Sequence, residues 1–218
     1  HGVTRPGGTA LNAGQVGAVR AADYIAHLAE ETKITDEMKA DSITQAKACI
    51  ELYHQCCGTE KLSDIWKRAS ARMSQYAGMI RNESDLKKGL LETEKELENL
   101  TLNAKKPVSG EFSLFYHLRD MLISQMVYQY AMIDYIRHGG QSRGSALYTD
   151  DTGTMPEGEL PEIFTCKLDR GLHGNEVQEI ILKNGHCSSK WREVRAIPES
   201  DNFFENQWRK YREKYRIQ

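Results

Sequence analysis

The stretch Glu111–His138, EFSLFYHLRDMLISQMVYQYAMIDYIRH, is the most apolar part of the chain. Phe112, Phe115, Leu118, Leu122, Met126, Tyr130 and Ile133 recur at three- and four-residue spacing, which predicts one long amphipathic helix. Gly139-Gly140 ends it. The same period recurs upstream. Ile65, Trp66, Ala69, Met73, Tyr76, Ala77 and Ile80 predict a helix over Leu62–Arg81. Asn82-Glu83-Ser84-Asp85 is a capping break. The next helix places Leu86, Leu90, Leu97 and Leu100 on one face, with the run Glu94-Lys95-Glu96 facing solvent. Earlier still, Thr35 or Asp36 caps a helix that runs to Cys57 and stops at Gly58. Gly14–Glu31 reads as the first helix. The links are short, so the expectation is a mainly α fold: an antiparallel helical bundle with a three-helix, spectrin-repeat-like core.

Composition shifts after Gly140, and Gly, Pro, Asp and Thr dominate up to Pro161. Ile163–Leu168 reads as a strand. Val177–Leu182 and Cys187–Ile197, joined through Asn184-Gly185, predict a small β-hairpin. Ser200-Asp201 precedes a terminal helix, Asn202 to about Tyr215. These shifts divide the chain into residues 1–31, a helical bundle over 32–140 and a small β-containing extension over 141–218.

The bulk numbers exclude several function classes. The 218 residues carry a net charge of -2, which gives no overall pull toward nucleic acid or anionic lipid. No apolar run approaches the roughly 20 residues that span a bilayer, so no direct membrane insertion is expected. The basic, aromatic tail Arg209–Arg216 reads as a solvated helix face with Tyr packed inward. Five cysteines, Cys49, Cys56, Cys57, Cys166 and Cys187, form no CxxC pair. The odd count argues against a closed disulfide framework, and no metal site is expected. Reduced thiols suit a cytoplasmic protein. His117, His138, His173 and His186 show no spacing that suggests a site.

The chemistry-bearing segment is the first one, His1-Gly2-Val3-Thr4-Arg5-Pro6-Gly7-Gly8-Thr9-Ala10-Leu11. A Gly-rich turn carrying an Arg runs into a helix, and such turns lie over cofactors or anions. The pattern His1-Gly2-x-x-Arg5-x-Gly7-Gly8, followed by Leu11 and a helix, resembles the substrate and flavin loop of the succinate dehydrogenase and fumarate reductase flavoprotein family. That family also includes L-aspartate oxidase and adenylylsulfate reductase. Met73-x-x-Tyr76-Ala77-Gly78-Met79-Ile80-Arg81-Asn82-Glu83-x-x-Leu86 is similar to its helical-domain signature. Ser142-Arg143-Gly144 resembles its Ser-Arg-Gly-Ala-His segment. The departures are Pro6 for an apolar residue, Thr9-Ala10 for Asn-Ser, and Ser145-Ala146-Leu147 for the His-rich continuation.

The resemblance implies the C-terminal part of an FAD-dependent oxidoreductase that transfers hydride between flavin and a small dicarboxylate. Residues 1–31 would close the FAD-binding domain, whose N-terminal part precedes this chain. No GxGxxG fingerprint occurs in these 218 residues, so this part alone is expected to be inactive and to retain no FAD. Arg5 aligns with the substrate clamp: its planar, permanently charged fork pairs bidentately with a carboxylate. His1 would hydrogen-bond substrate or buttress Arg5. Gly7 and Gly8 would let the backbone approach the flavin, and Thr9, Ala10 and Leu11 would present N–H groups to it. The resemblance also implies an iron–sulfur partner subunit and a cytoplasmic location, with membrane association only through partners. Sulfur-oxyanion or amino-acid oxidation suits the same clamp. A contrasting reading is a non-catalytic helical-bundle interaction module. Arg143 caps the substrate region or, the favoured reading, locks the bundle to the small sheet.

Overall fold

The computed structural model describes residues 9–28, 34–106, 108, 110–194 and 209–214. It is mainly helical. The helices are α1 (Thr9–Leu28), α2 (Asp36–His54), α3 (Leu62–Tyr76), α4 (Glu83–Glu98), the single turn α5 (Leu100–Asn103) and α6 (Phe112–Arg137). The strands are β1 (Ile80–Arg81), β2 (Leu147–Thr154), β3 (Glu176–Lys183) and β4 (His186–Glu193). Residues 209–214 are helical, and the rest of the expected terminal helix lies outside the described residues. Asp41–Val194 form one compact unit, while α1 and residues 209–214 belong to another.

Within Asp41–Val194, α3, α4 and α6 pack on one another. The apolar period of α6 does what its spacing predicts: Phe115, Leu118, Leu122, Met126 and Ile133 are all buried. Each fully buried large side chain of this kind contributes roughly 1.5–3 kcal/mol relative to exposure. Phe112, at the start of the same stripe, is exposed. Two apolar clusters result. The larger joins Tyr53 of α2 and Cys56 just beyond it to Leu62, Ile65 and Ala69 of α3, Leu100 of α5, and Phe115, Leu118 and Leu122 of α6. The smaller joins Ala77, Leu86, Ile133 and Tyr148. Among the residues buried on α3, α4 and α6 are also the polar Arg72, Thr93, Glu96, Gln125 and Gln129. Thr93 Oγ1 donates to Gln129 Oε1 at 3.0 Å, and Gln125 Nε2 to the Ala69 carbonyl at 3.2 Å.

Local chemistry sets the helix ends. Thr35 caps α2, its Oγ1 accepting from Met38 N at 3.1 Å. Asn82 caps α4, its Oδ1 accepting from Asp85 N at 2.8 Å. Several expected boundaries are corrected. α1 starts at Thr9 rather than Gly14, because Thr9-Ala10-Leu11 continue the helical backbone. α2 ends at His54, before Gly58. Gly58 instead pairs with Lys105, where a Cβ would lie 2.1 Å from the Asn103 carbonyl oxygen. α3 ends at Tyr76, because Ile80 and Arg81 leave the helix to pair in parallel with Leu147 and Tyr148 of β2. The run Glu94-Lys95-Glu96 does not face solvent as a whole: Glu96 is buried.

Beyond α6, β2 forms in a Thr/Asp/Gly-rich stretch that reads as loop. The expected strand Ile163–Leu168 is a single 3-10 turn, Glu162–Phe164, followed by isolated bridges of Cys166 to Thr149 and Thr154. β3 and β4 pair antiparallel from Glu176↔Glu193 to Lys183↔His186. Asn184 (φ 51) and Gly185 (φ 79) make the two-residue connection, the left-handed pair a type I′ turn requires. β4 ends at Glu193, and residues 195–197 of the longer expected strand lie outside the described residues.

Candidate functional site

His1, Arg5, Gly7 and Gly8 lie outside the described residues. Thr9, Ala10 and Leu11 form the opening of α1, a helix of 20 residues. The first turn of a helix has no intrahelical partners for its N–H groups, and the macrodipole puts partial positive charge there. No acidic residue occupies the first turn of α1 to neutralise it. That end therefore favours negative charge.

Residues of the Met73–Leu86 stretch tie elements together. Arg81 Nε donates to the Gly78 carbonyl at 2.6 Å, and its Nη1 to Tyr148 Oη at 3.2 Å. Its guanidinium also lies over the Tyr148 ring, 5.6 Å from the centroid. Asn82 caps α4. Glu83 accepts from Lys87 at 2.7 Å and from Arg137, at the end of α6, at 3.0 Å. These pairs hold the Glu83 carboxyl below its usual range, Lys87 first and Arg137 second. In the Ser142-Arg143-Gly144 turn, Ser142 Oγ accepts from Tyr148 N at 2.8 Å. Arg143 is largely exposed, with Nη1 3.6 Å from Asp169 Oδ2. It therefore ties this turn to the segment leading into β3.

Two buried carboxylates stand out that the sequence reading passed over. Glu96 on α4 accepts from Arg68 Nη2 at 2.6 Å, Arg68 Nε at 3.0 Å and Arg72 Nη2 at 2.5 Å. Burial pushes its carboxyl up, and the hydrogen bonds from the two guanidiniums bring it below the usual range. Arg68 is raised in turn, through hydrogen bonds to Glu96 and Glu60. The signal was available: Arg68 and Arg72, like Glu92 and Glu96, lie four apart on facing helices.

Asp134 near the end of α6 is the second. It accepts from Ser189 Oγ at 2.6 Å, Gln178 Nε2 at 2.8 Å and Trp191 Nε1 at 2.9 Å. Burial raises this carboxyl as well, and the hydrogen bonds from the three neutral donors outweigh it. Asp134 thus gathers three hairpin side chains onto α6, and Gln178 Nε2 also donates to the Ala131 carbonyl at 2.9 Å. Alternation in β4 offered the signal, since Ser189 and Trp191 share one strand face. His138 and His173, which no spacing connected, both contact the Trp191 ring. Among the described residues no three His, Cys, Asp or Glu side chains converge as metal ligands, and no helix is long and apolar enough to cross a membrane.

No family model, curated protein or solved structure matches this chain.

Proposed function

We propose that this chain is part of an FAD-dependent oxidoreductase similar to the succinate dehydrogenase and fumarate reductase flavoprotein family, acting on a small dicarboxylate. One observation carries the reading: the sequence Arg5-x-Gly7-Gly8 directly precedes α1, whose first turn carries no acid of its own. When bound, FAD supplies the two-electron carrier. Arg5 binds and orients the substrate carboxylate, and a well-oriented clamp of this kind lowers the barrier without touching the reacting bond. His1 supports Arg5 or the substrate. Gly7 and Gly8 keep side chains out of the approach to the ring. The N–H groups of Thr9, Ala10 and Leu11 favour negative charge by about 0.3–1 kcal/mol, up to about 2 when partly buried. In this reading residues 1–31 complete the flavin domain, whose remainder is supplied by sequence outside these 218 residues. α3, α4 and α6 are the spectrin-repeat-like core of the helical domain, and residues 141–218 are its extension. The bundle supports subunit contacts, including an iron–sulfur partner, and the complex is cytoplasmic or held at a membrane by partners.

The test is spectroscopy of the whole enzyme. A flavin absorbance that succinate bleaches and fumarate restores is the expected result. Arg5→Ala should keep the colour and lose about 10²-fold or more in turnover with dicarboxylate. A colourless protein, indifferent to small acids, overturns the proposal. It would favour the second reading, a helical interaction module. A specific observation supports that alternative: Ile43 and Ile50, two turns apart on α2, are both exposed.

A further inference from the structure

His173 lies in the segment that leads into β3. An Asx turn orders this segment, with Gly171 N and Leu172 N donating to Asp169 Oδ1 at 2.9 and 3.3 Å. The His173 side chain is only 13% exposed. Both of its ring nitrogens face acceptors: Nδ1 is 2.7 Å from Glu176 Oε2, and Nε2 is 2.8 Å from the His138 carbonyl oxygen just past α6. A neutral imidazole carries one N–H and can serve only one of them; the imidazolium serves both. The ring also lies against Trp191 of β4, with centroids 4.5 Å apart at 37°. Trp191 also contacts His138, at 5.0 Å and 33°. One side chain thus bridges the end of α6, the start of β3 and the face of β4.

We propose that this arrangement is a proton-operated latch: protonated His173 fastens the β3–β4 hairpin to the carboxyl end of α6, and loss of its proton loosens it. The latch is independent of the flavin reading. The charged and titratable groups around the ring are consistent with it. Glu176 faces it from β3. Asp169 faces it from the preceding turn, and is itself paired with Arg143. Tyr135 and His138 face it from the end of α6; from β4 come the neutral Trp191 indole and, on the same strand face, Glu193, paired in register with Glu176. The Glu176 hydrogen bond raises the His173 pKa above its usual value against the opposing effect of burial, and the His138 carbonyl and Asp169 add to the rise. A helix C-terminus also favours a cation. The sign follows. The latch is fully closed below about pH 6.5, the ordinary imidazole value, and weakens as pH rises through the higher folded value. Each unit of elevation makes closure tenfold more favourable in the protonated state.

The experiment uses the intact protein in two mass-spectrometric readouts across a pH series. Deuterium exchange at histidine C2–H gives the His173 midpoint. Amide exchange in peptides covering residues 176–194, corrected for intrinsic rates, gives hairpin opening. The expected midpoint lies above about 6.5, and hairpin opening rises several-fold as pH passes through it. His173→Gln should hold the hairpin at its high-pH opening at every pH, while amides of α3 and α4 stay unchanged. Should that variant fold poorly, Glu176→Gln reads the same equilibrium by lowering the His173 midpoint and moving the opening transition with it. A midpoint at or below about 6.5, or hairpin opening that ignores the His173 titration, overturns the latch. A merely structural His173 would change hairpin opening equally at all pH values.

Discussion

The α3–α4 seam and the α6–hairpin junction each bury a carboxylate, and they hold its charge by different means. Glu96 meets two guanidiniums. Asp134 meets a hydroxyl, an amide and an indole. In the seam, charge answers charge, so removing one partner leaves uncompensated ions in a dry place. At the junction the charge is answered by dipoles, so removing the carboxylate leaves neutral donors short of an acceptor, a smaller penalty. The seam locks two helices of the core. The junction holds an appendage that can be released without unmaking that core.

Four measurements sharpen or break this contrast. Glu96→Ala should be the most damaging, costing about 3–5 kcal/mol in urea unfolding, because Arg72 stays buried with only the half-exposed Glu92, at 3.5 Å, left to pair it. Asp134→Asn should cost less, about 1.5–3 kcal/mol, with the loss confined to amide exchange of residues 176–194. Equal costs for the two variants would remove the distinction. Acid provides the third comparison. Both carboxyls sit below their usual range, so both contribute fully above about pH 4 and lose that contribution as pH falls through their folded values. Protonating Glu96 also sets two guanidiniums against each other. Opening of α3 and α4 should therefore rise more steeply with acid than opening of the hairpin, as read by amide exchange. The smallest effect is expected at the exposed pair of Glu83 with Arg137. Arg137→Ala should change stability by no more than about 1 kcal/mol.

The parts of this fold that were legible are those whose signal is local. The stripe Phe115, Leu118, Leu122, Met126, Ile133 announces α6, and the caps at Thr35 and Asn82 announce α2 and α4. What the sequence hides is pairing at a distance. Glu96 sits in a charged run that looks solvated, and its partners stand 24 and 28 positions earlier. Gln125, Gln129 and Asp134 occupy buried positions of α6 that hydropathy assigns to the surface, because the hydrogen-bond partners they do have lie on other elements. β2 has no apolar alternation to reveal it, and β1 is two residues cut from the end of a helical pattern. Of the candidate site, the helix that follows the glycine turn was legible, although it begins five residues sooner than its glycines suggested. Arg143 was readable as a tie, but its acid partner, Asp169, was not.

Gly58 carries a consequence for the evolution of this chain. Around it, Cys57, Gly58, Thr59 and Glu60 donate their amides to the carbonyls of Thr101, Ala104 and Asn103, and Lys105 donates back to Glu60. This stitch joins the segment after α2 to the end of α5 mainly through main-chain groups, so its exposed positions place little demand on their side chains, while Ala104 is held small by the core. Residue 58 is the strictest position: any methyl group there wedges the two segments apart. Lineages that diverge elsewhere beyond recognition should still keep a bare α-carbon at this point, and a chimaera spliced here would inherit the wedge.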